Sequence, residues 1–294
     1  MFRITLLRPV AALLTDRARR IGDRIAFQDR VRAVDYRALE VRTARIAGHL
    51  VDAGLRPGEP VVVWLDNRVE AVEATLAVTR AGGIAIPVRP TVADRQVCQL
   101  AVQHNAFAVF AAHDRHQVFR WAPTRVIAVA EDATTSTDDP PSRFDALVAT
   151  NPLAPPRDDL GIDDPAWLLH GTGESAPLLA TQRSSVWSVL ACFDRIRGRR
   201  ALPLALPYSY AHLMCILGVI ALGGTARLAT FSPDEILDAA GGRDYTLLTG
   251  IDPSVERSEP PAVRVCLATG RPMDGPAGEI AGSRPGAAVP LAIA

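Results

Sequence analysis

The stretch HGTGESAP, residues 170 to 177, gathers the groups in this chain best suited to hold an anion. Gly171 and Gly173 carry no side chain, so backbone N–H groups can crowd around a phosphate, and Thr172 and Ser175 add hydroxyl donors. These four residues form a candidate phosphate cradle. Gly171, Gly173 and Ala176 also fit a GxGxxA dinucleotide pattern, but Pro177 follows where a helix should begin, and the nearest acidic candidate, Asp194, falls inside a helical pattern. A hydrolase reading fails because the chain has no GxSxG elbow to carry a serine nucleophile. His113 and His116 are spaced for a metal, but nothing else joins them in sequence; a solvated polar turn is expected there, and no metal site.

Composition removes other chemistries. All 32 basic residues are arginine, which excludes Schiff-base chemistry, a P-loop lysine and a lysine general base. The 32 acidic residues bring the formal net charge to zero, so no overall field favours nucleic acid. Cys98, Cys192, Cys215 and Cys266 form no CxxC pair, and a reduced, cytoplasmic setting is expected. The longest apolar run, Leu213 to Gly224, is too short for a membrane span, which needs about 20 residues.

Elements that must position the cradle follow from periodicity. Short apolar runs alternate with helical patterns, which predicts an α/β fold with largely parallel strands. Helices are expected at 35–54, with Asp35 capping and Gly54 stopping it, and at 69–81, 93–104, 184–197, 212–223 and 233–240. Strands are expected at 60–66, 84–88, 107–112, 125–130, 201–207, 225–230, 245–249 and 263–268. The proline- and aspartate-rich stretch 131–165 reads as an exposed linker, dividing a first α/β subdomain (1–165) from a second (166–294).

Taken in order, these segments resemble the large N-terminal domain of the adenylate-forming superfamily: acyl-CoA synthetases, luciferases and peptide-synthetase adenylation domains. Tyr36 and Leu39 match its Thr-Tyr-x-Glu-Leu element. Pro57, Gly58 and Asn67 match its next strand region, and Ala81, Gly82, Pro87 and Pro90 match its Ala-Gly-x-x-x-x-Pro-x-x-Pro turn. LALPYSYAHLM (204–214) is similar to its Leu-Pro-Leu-x-His segment, and LATGRPM (267–273) to its Ser-Gly-Gly-Ala-Pro-Leu strand. The resemblance spans roughly Arg24 to Met273. It implies two stacked α/β subdomains with the C-terminal part absent, ATP and magnesium as cofactors, and a carboxylic-acid substrate near Tyr210, His212, Gly270, Arg271 and Pro272.

The loop departs from the family's Thr-Ser-Gly-Thr-Thr-Gly-x-Pro-Lys-Gly. Gly171 and Thr172 match its Gly-Thr. Pro177, or Ala176 if one residue is deleted, then stands where the lysine should be, and Glu174 adds a carboxylate where a triphosphate would lie. Arg183 is the nearest candidate for a replacement cation. The family's Tyr-Gly-x-Thr-Glu element and C-terminal catalytic lysine have no counterpart before Ala294. The expectation is therefore a truncated or degenerate AMP-binding ligase domain, impaired in carboxylate activation. The alternative is a non-catalytic partner of a full-length synthetase or carrier protein.

Overall fold

Asp35 begins the first long helix as expected: its carboxylate accepts the Ala38 N–H at 2.7 Å, satisfying one of the donors that a helix start leaves unpaired. The helix ends before Gly54, whose φ of 97° suits a residue without a side chain. The computed structural model describes residues 8–120, 124–129, 143–170, 177–193, 203–204, 210–228, 248–249 and 266–267. In chain order the elements are α1 (Val10–Ile21), β1 (Ile25–Gln28), β2 (Ala33–Asp35), α2 (Tyr36–Asp52), β3 (Pro60–Trp64), α3 (Val69–Arg80), β4 (Ile84–Pro87), α4 (Asp94–Gln103), β5 (Ala108–Ala112) and β6 (Arg125–Val129). They continue as α5 (Arg143–Ala149), β7 (Pro165–Leu169), β8 (Leu178–Thr181), α6 (Gln182–Phe193), β9 (Pro203–Leu204), α7 (Tyr210–Leu222), β10 (Ala226–Leu228), β11 (Leu248–Thr249) and β12 (Cys266–Leu267).

Among the described residues two six-stranded sheets form, in the orders β12-β11-β9-β10-β1-β2 and β6-β5-β3-β4-β7-β8. β3 and β5 are buried along almost their whole length, because parallel strands with helices on both faces leave no side for water. One core joins α2, α3 and α7 to residues from both sheets; a second, around Trp64, Ile86, Val97 and Phe119, fills the opposite face of the β3-containing sheet.

Both sheets cross the expected division at 165/166. β7 and β8 complete the sheet of the first half, while β1 and β2 join the other sheet, β1 pairing in parallel with β10 at Phe27↔Ala226. Strand pairing is satisfied by any neighbour of suitable register, so chain order does not fix which sheet a strand joins. The expected exposed linker also needs correction. Within 131–165, residues 143–149 form a helix whose Phe144 and Val148 are buried, and Pro152 to Asp164 are tied down by hydrogen bonds to α2 and α3. The helix expected at 233–240 lies outside the described residues.

Candidate functional site

The four cradle residues Gly171, Thr172, Gly173 and Ser175 lie outside the described residues, but the two strands they connect are described. β7 runs parallel to β4 and antiparallel to β8, with Leu169 paired to Leu178 at the loop end and Pro165 to Thr181 at the base. Residues 171–176 therefore leave the carboxyl end of β7, the end at which α/β sheets bind ligands. Trp167 and Ala166 are fully buried and anchor the strand in the core. β8 was not expected from sequence: LLAT is too short to carry a period of its own and is a strand only because β7 pairs with it.

Among the described residues 165–170 and 177–183, Arg183 is the one basic residue apart from His170. It is paired with a carboxylate. Its guanidinium makes a two-pronged pair with Asp163, Nε to Oδ1 at 2.5 Å and Nη2 to Oδ2 at 2.8 Å, and its N–H donates to the Ile162 carbonyl at 2.6 Å. It follows Thr181, at the base of the hairpin, whereas the loop begins beyond Leu178. At about 3.3 Å per residue, β8 separates the two.

His170, the last described residue before the loop, is not a cation source either. Its ring packs edge-on against that of His104, centroids 5.4 Å apart, and its Nε2 is buried with no hydrogen-bond partner. Burial, and then repulsion from His104, holds its pKa below the ordinary imidazole value. The two histidines stand 66 positions apart in sequence, and no local pattern linked them. A folded-state pKa below the unfolded one means that the native state binds fewer protons. The contribution is present above the ordinary imidazole range and is lost as pH falls through it. Thermal melts from pH 8 to 5 should show the wild type losing stability on the acid side, and His170→Phe, which retains an edge-on ring, should flatten that loss. A variant with the same acid-side slope would refute the assignment.

The substrate-pocket candidates are separated by the description. Tyr210 and His212 lie in the first turn of α7, with side chains outside the described set, and Gly270, Arg271 and Pro272 lie wholly outside it. α7 itself is well held at its carboxyl end. Arg17 Nε donates to the Ile220 carbonyl at 3.1 Å, Arg24 Nη1 to that of Gly223 at 2.8 Å, and the Tyr36 hydroxyl lies 2.8 and 2.7 Å from the carbonyls of Val219 and Gly224. Cationic donors are well placed there, since that helix end carries partial negative charge. Burial pushes Tyr36 far above the usual phenol range, which keeps its proton on for donation. Tyr36, matched in sequence to a family element, thus works as a fastener between α2 and α7.

An open groove of about 520 Å³ lies between α2 and α5 and shares no residue with β7 or β8. Its arginines are engaged: Arg42 with Glu73, Arg45 with the Val148 carbonyl and Arg37 with Asp23. Among the described residues no three His, Cys, Asp or Glu side chains gather to hold a metal ion, and no helix is long and apolar enough to cross a membrane.

Comparison with known proteins agrees with the architecture. The chain is 30% identical over 269 residues to triostin synthetase I of Streptomyces triostinicus, covering 86% of this chain and 49% of that protein. It is 28% identical to chalcone synthase cfoA of Aspergillus candidus, covering 87% of this chain and 10% of that protein. It spans at most about half the length of these relatives. Among solved structures, ATP-bound MatB from Rhodopseudomonas palustris superposes with a TM-score of 0.72 at 22% identity, over 88% of this chain and 54% of that one, a likeness of fold. The family model described as AMP-binding enzyme matches residues 14–273, and the chain therefore belongs to the AMP-binding, adenylate-forming enzyme family.

Proposed function

We propose that this chain is an adenylate-forming ligase domain that retains binding of a carboxylic-acid small molecule and weak binding of ATP, with carboxylate activation impaired. Magnesium would accompany the nucleotide, and coenzyme A or a carrier protein would accept the acyl group in a complete cycle. The observation that carries the impairment is the state of Arg183, held by Asp163 at the hairpin base while the lysine position is filled by Pro177 or Ala176. A nucleotide triphosphate would then be gripped by backbone N–H groups and hydroxyls from Gly171, Thr172, Gly173 and Ser175, against the carboxylate of Glu174. Loss of one preorganised charge-stabilising donor costs roughly 10² to 10³ in rate.

The test is carboxylate-dependent exchange of pyrophosphate into ATP, run over a panel of aryl, fatty and amino acids. Exchange is expected at or below about a hundredth of the rate of an intact family member assayed beside it. A rate equal to that member's with any one acid overturns the impairment.

The alternative, a non-catalytic partner of a synthetase or carrier protein, has its own support. Leu178 and Leu179 on the edge strand β8, and Trp187 and Leu190 on the outer stripe of α6, are 42–52% exposed. Apolar side chains of that size in the open suit a protein contact. Co-elution with a carrier protein, lost on Trp187→Ser, would favour this reading.

A further inference from the structure

β7 is held in its sheet by the buried side chains of Ala166, Trp167 and Leu169 more than by ladder pairing. β4 and β7 share a single bridge pair, Ala85↔Trp167, whereas β3 pairs with β4 and with β5 at four positions each, and β5 pairs with β6 at five. Beside this packing, polar contacts concentrate in the segment leading into β7.

That segment, Pro152 to Asp164, is pinned along its length. The Asp52 carboxylate at the end of α2 accepts the Leu153 and Ala154 N–H groups at 2.7 and 2.8 Å. Arg157 donates its N–H to the Arg80 carbonyl at 2.8 Å, and its Nη1 to the carbonyls of Leu55 and Ala81 at 2.8 and 2.7 Å. The central fastening is Arg80, which is only 2% exposed. Its Nε and Nη2 donate to the Asp158 carboxylate at 2.9 and 2.6 Å, Nη1 donates to the Glu40 carbonyl and Thr43 Oγ1 at 2.9 Å each, and Nη2 donates to Glu40 Oε1 at 3.2 Å. A guanidinium has five N–H donors, and all five are used here. Beyond Asp158 the base of the hairpin closes on the same segment, through Gln182 N–H to the Asp164 carbonyl at 3.0 Å and Arg183 to Ile162 and Asp163.

We infer that Arg80 is a positioning residue for the β7–β8 hairpin: its five-donor fork ties α2 and α3 to Asp158 and holds the segment that leads into β7. The role of the loop between β7 and β8 rests on the proposed function; the positioning itself does not. Lysine cannot replace this fork, since an ammonium has three donors and no planar two-pronged face.

The experiment compares wild type, Asp158→Asn and Arg80→Lys by amide hydrogen exchange, with binding of magnesium-ATP by calorimetry on the same samples. In both variants exchange of the 166–169 amides should rise about tenfold relative to that of β3 and β5, as local opening does when one anchor is lost. ATP affinity should fall by a similar factor, with no comparable change in melting temperature. Asp158, partly exposed, provides the variant that folds if Arg80→Lys does not. Unchanged exchange at 166–169, or a uniform rise across all strands, overturns the inference and leaves Arg80 a general stabiliser. If wild type binds no ATP while the hairpin still loosens in the variants, the positioning stands and the nucleotide reading falls.

Discussion

Arg42→Met is expected to cost about 3–5 kcal/mol of folding stability at pH 8, because it leaves a carboxylate buried without its partner. Glu73 on α3 is fully buried, and both of its oxygens accept from Arg42 on α2, Nη2 to Oε2 at 2.9 Å. Burial alone pushes the Glu73 carboxyl above its ordinary value; the hydrogen bond and charge of Arg42 pull it back, and nearby Glu70 pushes it up. Without Arg42 the upward push of burial and Glu70 is opposed by the charge of Arg32 alone. A carboxyl whose folded pKa lies above its unfolded one binds more protons in the native state, so stability falls as pH rises through that window. The deficit of Arg42→Met should therefore be largest at pH 8 and shrink as pH approaches the ordinary carboxylate range. Urea melts at several pH values measure it, and adding Glu73→Gln should recover much of the loss at pH 8. A deficit that is flat with pH would mean that Glu73 is not the source.

Pro177→Lys is expected to tighten ATP binding by roughly ten- to a hundredfold, the equivalent of one charge-assisted hydrogen bond of about 1.5–3 kcal/mol. Pro177 is exposed immediately before β8 and is where an ungapped reading of the loop puts the family's lysine, so an ammonium there meets solvent rather than packed side chains. Titration calorimetry with magnesium-ATP on wild type and variant reads the change directly. Equal affinities would mean either that the shifted alignment, with Ala176 at the lysine position, is the right one, which Ala176→Lys then tests, or that the loop does not meet the triphosphate at all. Arg183→Gln makes the complementary control. Because its guanidinium is held by Asp163 at the base of the hairpin, ATP affinity should stay unchanged.

Much of the architecture was legible because it is written in local pattern. β3, β4, β5 and β6 stand within two residues of where apolar runs placed them, and α2 begins at the Asp35 cap and stops before Gly54. What failed shares one feature. β8 is a strand only through β7, and the stretch from Pro152 to Asp164, proline- and aspartate-rich like a linker, is fastened because Asp52 and Arg80 meet it and its own Arg157 reaches Leu55 and Ala81, partners up to about 100 positions away. Aspartate in a solvated linker and aspartate in an ion pair look alike in sequence.

The sequence by itself determined the family, the α/β class and the missing lysine, since each depends on residue types in order along the chain. Tertiary structure alone decided which sheet each strand joined, that His170 lies against His104, and that Arg183 is committed to Asp163 rather than to the loop. Those facts depend on distances between residues remote in sequence. Burial and charge act through space, so the chemical state of a side chain is set by neighbours that only the folded chain supplies.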